Sequence, residues 1–112
     1  MDAPARATWL RIYIGEADQW QHRPLHLALV ELLRSRGLAG ATVLRGVEGF
    51  GAHSKIHTAQ ILRLSEDLPL VVEVVDEAER IEAIIPELSE MVREGMIFTL
   101  DVDVRLYQHR ES

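Results

Sequence analysis

Leu70-Val-Val-Glu-Val-Val75 is apolar at every position but Glu73. A strand with one solvated face alternates between apolar and polar residues. This run does not, so it belongs at the centre of a sheet whose two faces are both covered. Valine also suits any central strand, which is the plainer reading. A 112-residue chain has few elements with which to cover a sheet twice. Helices on one face and a second copy of the chain on the other is the simplest arrangement.

The rest of the chain supplies the neighbours. Leu10, Ile12 and Ile14 alternate with Trp9, Arg11 and Tyr13 in a first strand. The polar stretch from Gly15 to Arg23 reads as a loop. Pro24 opens a helix, where a missing N–H does no harm. Its stripe is Leu25, Ala28, Leu29, Leu32 and Leu33, and Gly37 caps its end. Ala41 to Arg45 forms a second strand, and the run at 70–75 is the third. Asp76 and Glu79 resemble a capping pair for a second helix. That helix carries Ile81, Ile84, Ile85, Leu88, Met91 and Val92 and stops at Gly95. Pro86 inside it predicts a kink or short break. Leu100, Val102, Val104 and Leu106 alternate with Asp101, Asp103, Arg105 and Tyr107 in a fourth strand.

The order is βαββαβ. It predicts an α+β fold, a ferredoxin-like sandwich with two helices on one face of an antiparallel sheet and the first and third strands central. One domain spans 1–112, with an ordered core at about 8–107 and frayed ends. Some twenty residues join strands two and three, and connections of about that length inside small domains carry function or lack order. Ile56, Thr58 and Gln60 alternate with His57, Ala59 and Ile61, so part of this segment either extends a hairpin or forms a short helical turn through Thr58 to Arg63.

Charge and composition remove several functions. The formal charge is −6, against non-specific nucleic-acid binding. There is no cysteine, which excludes disulfides and thiolate metal sites and fits a reducing cytoplasm. No apolar run approaches the ~20 residues of a membrane span. The first residues lack the layout of a signal peptide. Trp9 and Tyr13 share a strand face, as the aromatics of an RNA-recognition sheet do, but the third strand offers them no aromatic partner.

Chemistry concentrates at the exit of the second strand. Gly46, Gly49 and Gly51 fall within six residues, directly before His53, Ser54, Lys55 and His57. Such a segment either cradles an anion on backbone N–H groups or forms a flexible turn. It lacks the Gly-Lys-Ser or Gly-Lys-Thr of a Walker loop. Arg45, Lys55 and Arg105 are candidate cations for a phosphate or carboxylate. Phe50 either packs against a base or anchors the loop on the body. His53 and His57, four apart, are weak candidates for a metal pair, with Glu48 as a third ligand. His22 and His26 repeat the spacing with less support. Asp101 and Asp103 share a strand face without the pocket that acid–base catalysis needs. The serines lie in no nucleophile context.

The βαββαβ order, Thr42-Val-Leu-Arg-Gly-Val-Glu-Gly-Phe-Gly51 and the Leu68-Pro69 pair resemble the PII signal proteins. The likeness is closer to their PII-like branch known as a domain of unknown function. That branch carries segments similar to Leu10-Arg-Ile-Tyr-Ile-Gly-Glu16, Gly40-Ala-Thr-Val-Leu-Arg-Gly46, His53 to His57 and Leu62-Arg-Leu-Ser-Glu-Asp-Leu-Pro69. The resemblance covers residues 9 to 107.

It implies a non-enzymatic homotrimer that binds a small anionic effector, an adenine nucleotide first of all, in clefts between subunits. It implies that the segment at about 46–67 is the mobile T-loop, docking on a membrane transporter or metabolic enzyme, with Gly49-Phe50-Gly51 as its hinge. By the same resemblance the effector site draws on Arg45, Gly46, Gly49, Phe50, Gly51, His53, Ser54, Lys55, Gly95, Arg105 and Tyr107. It also places Trp9 and Tyr13 at the trimer interface.

The departures are specific. Ala52 and His53 stand where PII proteins carry Arg and Gln. In Arg93-Glu-Gly-Met-Ile-Phe98, Met96 holds the place of the phosphate-binding lysine. Tyr107 replaces a C-terminal arginine, and the loop has no tyrosine to modify. Two other readings remain: an amino-acid-binding regulatory module that dimerises through a sheet edge, and a small metal enzyme built on His53, His57 and Glu48.

Overall fold

A computed structural model describes residues 6–50, 57–58 and 68–109. Its main sheet is built from β1 (Arg6–Gly15), β4 (Thr42–Arg45), β7 (Pro69–Asp76) and β8 (Met96–Asp103), in the order β4-β7-β1-β8. Every pairing is antiparallel. The first and third long strands are therefore central, as the run at 70–75 requires. Leu10, Ile12 and Ile14 of β1 stand opposite Val74, Val72 and Leu70 of β7 on one face. The helices α1 (Leu25–Ser35) and α2 (Ala78–Met91) cover that face with Leu25, Leu29, Leu33, Ile81, Ile84 and Leu88. Burying each such side chain contributes about 1.5–3 kcal/mol relative to leaving it in water. The fold is the α+β sandwich that the element order predicts.

Several boundaries differ from the sequence reading. The loop after β1 holds a small hairpin of β2 (Gln19–Trp20) and β3 (Arg23–Pro24). Gln21 and His22 turn it with φ of 50° and 66°. Asp18 closes the segment, accepting the Gly15 amide on its side chain at 2.9 Å and the Leu25 amide on its carbonyl at 2.8 Å. Pro24 precedes α1 as its cap and does not lie in its first turn.

Asp76 does not cap α2. It is the last residue of β7, and Glu77 caps the helix without a side-chain bond. The helix runs unbroken through Pro86. Pro86 and Glu82, whose carbonyl a proline nitrogen cannot partner, both lie on the exposed side, where water serves instead. The helix ends at Met91, four residues before Gly95. β8 begins at Met96 because β1 continues as far as Tyr13 to pair with it. It stops at Asp103, where the ladder ends opposite Arg6. Val104 to Tyr107, expected in the strand, follow it as irregular chain.

Candidate functional site

Four chain segments meet at one end of the sheet: the exit of β1, the exit of β4, the entry to β7 and the entry to β8. The Gly-rich segment leaves the body here. The Gly46 amide donates to the Pro69 carbonyl at 2.8 Å. A Cβ on Gly46 would lie 2.7 Å from the Pro69 Cγ, and one on Gly49 would lie 3.0 Å from the same atom. Neither glycine has a positive φ; among the described residues only Gly37 and Gly95 do, for glycines. Both glycines permit the close approach to Pro69. Beyond them β5 (Glu48–Gly49) pairs with β6 (His57–Thr58), so Thr58 is strand as the hairpin reading has it; residues 59–63 of the helical reading lie outside the described residues.

Arg45 is engaged by Glu16 at 2.9 Å. Phe50 is 73% exposed, so it does not anchor the loop on the body. Val47, three residues earlier, is equally bare, at 72%. Gly95 has a φ of +146° and packs on the Tyr13 carbonyl, which a Cβ would strike. Gly51, His53, Ser54 and Lys55 lie outside the described residues. The metal reading rests in part on His53, and among the described residues no group of three His, Asp or Glu side chains is placed to hold a metal. Glu48 lies opposite Thr58 in the β5–β6 ladder, and His57 opposite Gly49.

Arg105 and Tyr107 are at the opposite end of the sheet, past the β8 terminus. Val104, Leu106 and Tyr107 form one side of a groove of about 500 Å³. Its other walls are Ala39, Gly40, Ala41 and Thr42 and the Glu73–Val75 stretch of β7. A single copy therefore does not bring the described candidate residues together. The loop base and Gly95 stand at one end, and Arg105, Tyr107 and the groove at the other.

The face of the sheet away from the helices connects these ends. Leu44, Val71, Tyr13 and Met96 form one row across it, and Val75, Trp9 and Leu100 another. Leu44, Met96 and Leu100 are 42%, 52% and 55% exposed. Between the rows lies one polar cluster. Arg11 donates to Glu73 at 2.7 Å and to the Tyr13 hydroxyl at 3.1 Å. Trp9 Nε1 donates to the same Glu73 oxygen at 3.1 Å. The guanidinium carbon lies 4.9 Å from the Trp9 ring centroid, within cation–π range. The hydrogen bond from Arg11 holds the Glu73 carboxyl below the ordinary carboxylate range, with Trp9 assisting and burial opposing. Phe98 closes the cluster edge-on to Trp9 at 6.3 Å. Sequence reasoning placed Trp9 and Tyr13 on this face. It missed the Arg11–Glu73 pair, although Glu73 is the one polar residue in the run at 70–75.

Comparison with known proteins agrees with this architecture. Residues 7–104 match the family DUF190, described as Uncharacterized ACR, COG1993. A UPF0166 protein of Aquifex aeolicus is 36% identical over 95 residues, covering 85% of this chain and 90% of its own. The UPF0166 protein MJ1524 of Methanocaldococcus jannaschii is 33% identical over 100 residues, covering 88% and 92%. The fold is similar to that of CPII, a nitrogen regulatory PII-like protein from Thiomonas intermedia K12, solved bound to ADP, AMP and bicarbonate. That structure has a TM-score of 0.69 at 17% identity over 92% of both chains. A second structure of it gives 0.66 at 16% identity, over 92% of this chain and 99% of that one. The chain belongs to the DUF190 family and has the PII-like fold. No helix among its described residues is long and apolar enough to cross a membrane.

Proposed function

We propose that this DUF190 protein is a PII-like regulatory protein that binds an adenine nucleotide in clefts between copies of the chain. The observation that carries this reading is the separation of its candidate residues. Arg45 to Phe50 and Gly95 stand at one end of the sheet, and Arg105 and Tyr107 at the other. One effector contacts both groups only where the end of one copy meets the opposite end of another. The apolar outer face is the surface through which a homotrimer would bring those ends together. The ADP and AMP held by the Thiomonas CPII fold supply the ligand class.

In this reading the effector's phosphates meet backbone N–H groups at the loop base and Arg105 of a neighbouring copy, since Met96 offers no charge. The effector orders or releases the segment at 46–67, a switch by segmental order. Val47 and Phe50, both exposed, present that segment to a target, a membrane transporter or a metabolic enzyme, from the cytoplasm. The reading contains no catalytic step. Titration calorimetry with AMP, ADP and ATP, with and without bicarbonate, tests it. Saturable binding of at least one nucleotide is expected, and no heat from any of them at millimolar concentration removes the nucleotide assignment.

A further inference from the structure

Asp76 is fully buried at the end of β7, the one residue with an ionisable side chain in the core of the described chain. Each carboxylate oxygen accepts a backbone N–H from a different segment. Oδ2 takes that of Ala39 at 2.7 Å, and Oδ1 that of Glu77 at 2.7 Å. Arg80, in the first turn of α2, donates Nη1 to the Gly37 carbonyl at 2.7 Å, and its Nε lies 4.0 Å from Asp76 Oδ1. The two side chains therefore grip residues 37–39 from both backbone polarities.

That grip bears on the groove. Ala39, Gly40, Ala41 and Thr42 form its wall. After the Leu38 amide bonds to the Leu33 carbonyl, the bond from Ala39 to Asp76 is the tie that holds this wall until β4 begins at Thr42. Residues 39–42 are all exposed, and Gly40 has no atom within 4 Å of where its Cβ would be, so packing contributes little to fixing the wall. A buried carboxylate is costly unless hydrogen-bonded, and an apolar residue would fill the end of β7 more cheaply. The acid secures a position, not a volume.

We infer that Asp76 is a positioning residue for the groove: through Ala39 it fixes the small-residue wall that receives the effector, and Arg80 supports it from the solvent side. The wall's placement rests on this geometry; that ADP is what it receives rests on the function proposed above.

The test uses the full chain with ADP as probe. Asp76→Asn keeps one acceptor oxygen and puts an NH₂ group where the second stood. It is expected to leave the amide shifts of β1 unchanged and to lower exchange protection of the Ala39 amide at least tenfold. It should also weaken ADP binding at least tenfold. Arg80→Gln, which leaves the carboxylate in place, is expected to move the same amides and weaken ADP about threefold. Should Asp76→Asn fail to fold, Arg80→Gln carries the test alone. Shifts spread over β7 and α2 with none in excess at 39–41 overturn the positioning role. So does undiminished ADP affinity once the wall has moved. If the unmodified protein binds no ADP, the nucleotide reading falls, and the amide measurements alone decide the role of Asp76.

Discussion

The Gly46 amide donates to the Pro69 carbonyl across 2.8 Å, and the ring of the same proline stands 2.7 Å from where a Gly46 Cβ would be. One residue thus both bonds the loop base and forbids it a side chain. Gly46→Ala is expected to destabilise the fold by about 1–3 kcal/mol, the usual cost of overpacking. Pro69→Ala removes the obstructing ring atom and should recover part of that loss. The coupling in the double-mutant cycle is expected at about 0.5–3 kcal/mol by urea unfolding. Strict additivity would mean that the glycine serves the backbone and not the contact. Gly49→Ala, whose Cβ would stand 3.0 Å from the ring and meet no backbone atom, should cost less.

Leu100 stands beside Trp9 on the outer face at 55% exposure. A glutamate there costs a single copy little, because the side chain already meets water. Between copies it would bury a charge against an apolar surface, which is prohibitive without a partner. Light scattering is therefore expected to give a trimer for the unmodified chain and a smaller species for Leu100→Glu, with unchanged circular dichroism. A chain monomeric at micromolar concentration, or a Leu100→Glu of full mass, would mean that this face is not the interface.

The sandwich was legible in the sequence because its signals are periodic and local: alternation at 9–14, helical stripes at 25–33 and 81–92, and an apolar run at 70–75. What was not legible depends on pairing across the sheet. Met96 to Phe98 gives no alternating signal, yet it is strand because β1 continues opposite it. Asp76 looks like a cap in sequence, and only the fold brings Ala39 to its second oxygen. The glycines at 46 and 49 were visible as a cluster, but their partner, Pro69, is distant in sequence. The candidate site could be read only as a set of residues and not as a place, since its described members stand at opposite ends of one copy.

Glu73 makes the outer face sensitive to acid. Its native carboxyl titrates below the ordinary 4.5, chiefly through the hydrogen bond from Arg11. A lowered native value means that the unfolded chain binds the proton more readily. The pair therefore contributes stability that is full above the unfolded value and is lost as pH falls through the native one. Unfolding curves of the unmodified protein and Glu73→Gln should differ by a constant amount from neutrality down to about pH 6. They should converge as the pH drops below 4.5. Curves that stay parallel down to pH 3 would show that Arg11 does not distinguish the two forms of the carboxyl.

Gly40 and Gly95 separate binding from folding. Gly95 has a φ of +146° and lies on the Tyr13 carbonyl, so Gly95→Ala combines strain with a clash and should cost about 2–5 kcal/mol. A Cβ on Gly40 meets nothing within 4 Å. Gly40→Leu should therefore leave stability within about 0.5 kcal/mol, as exposed substitutions do. Its side chain, however, would project from the wall of the groove that Tyr107 borders. If a nucleotide enters there, Gly40→Leu loses ADP affinity at least tenfold while its denaturation midpoint holds. Unchanged affinity would place the nucleotide away from this groove. A large loss of stability would show instead that the groove is packing space which the folded chain needs.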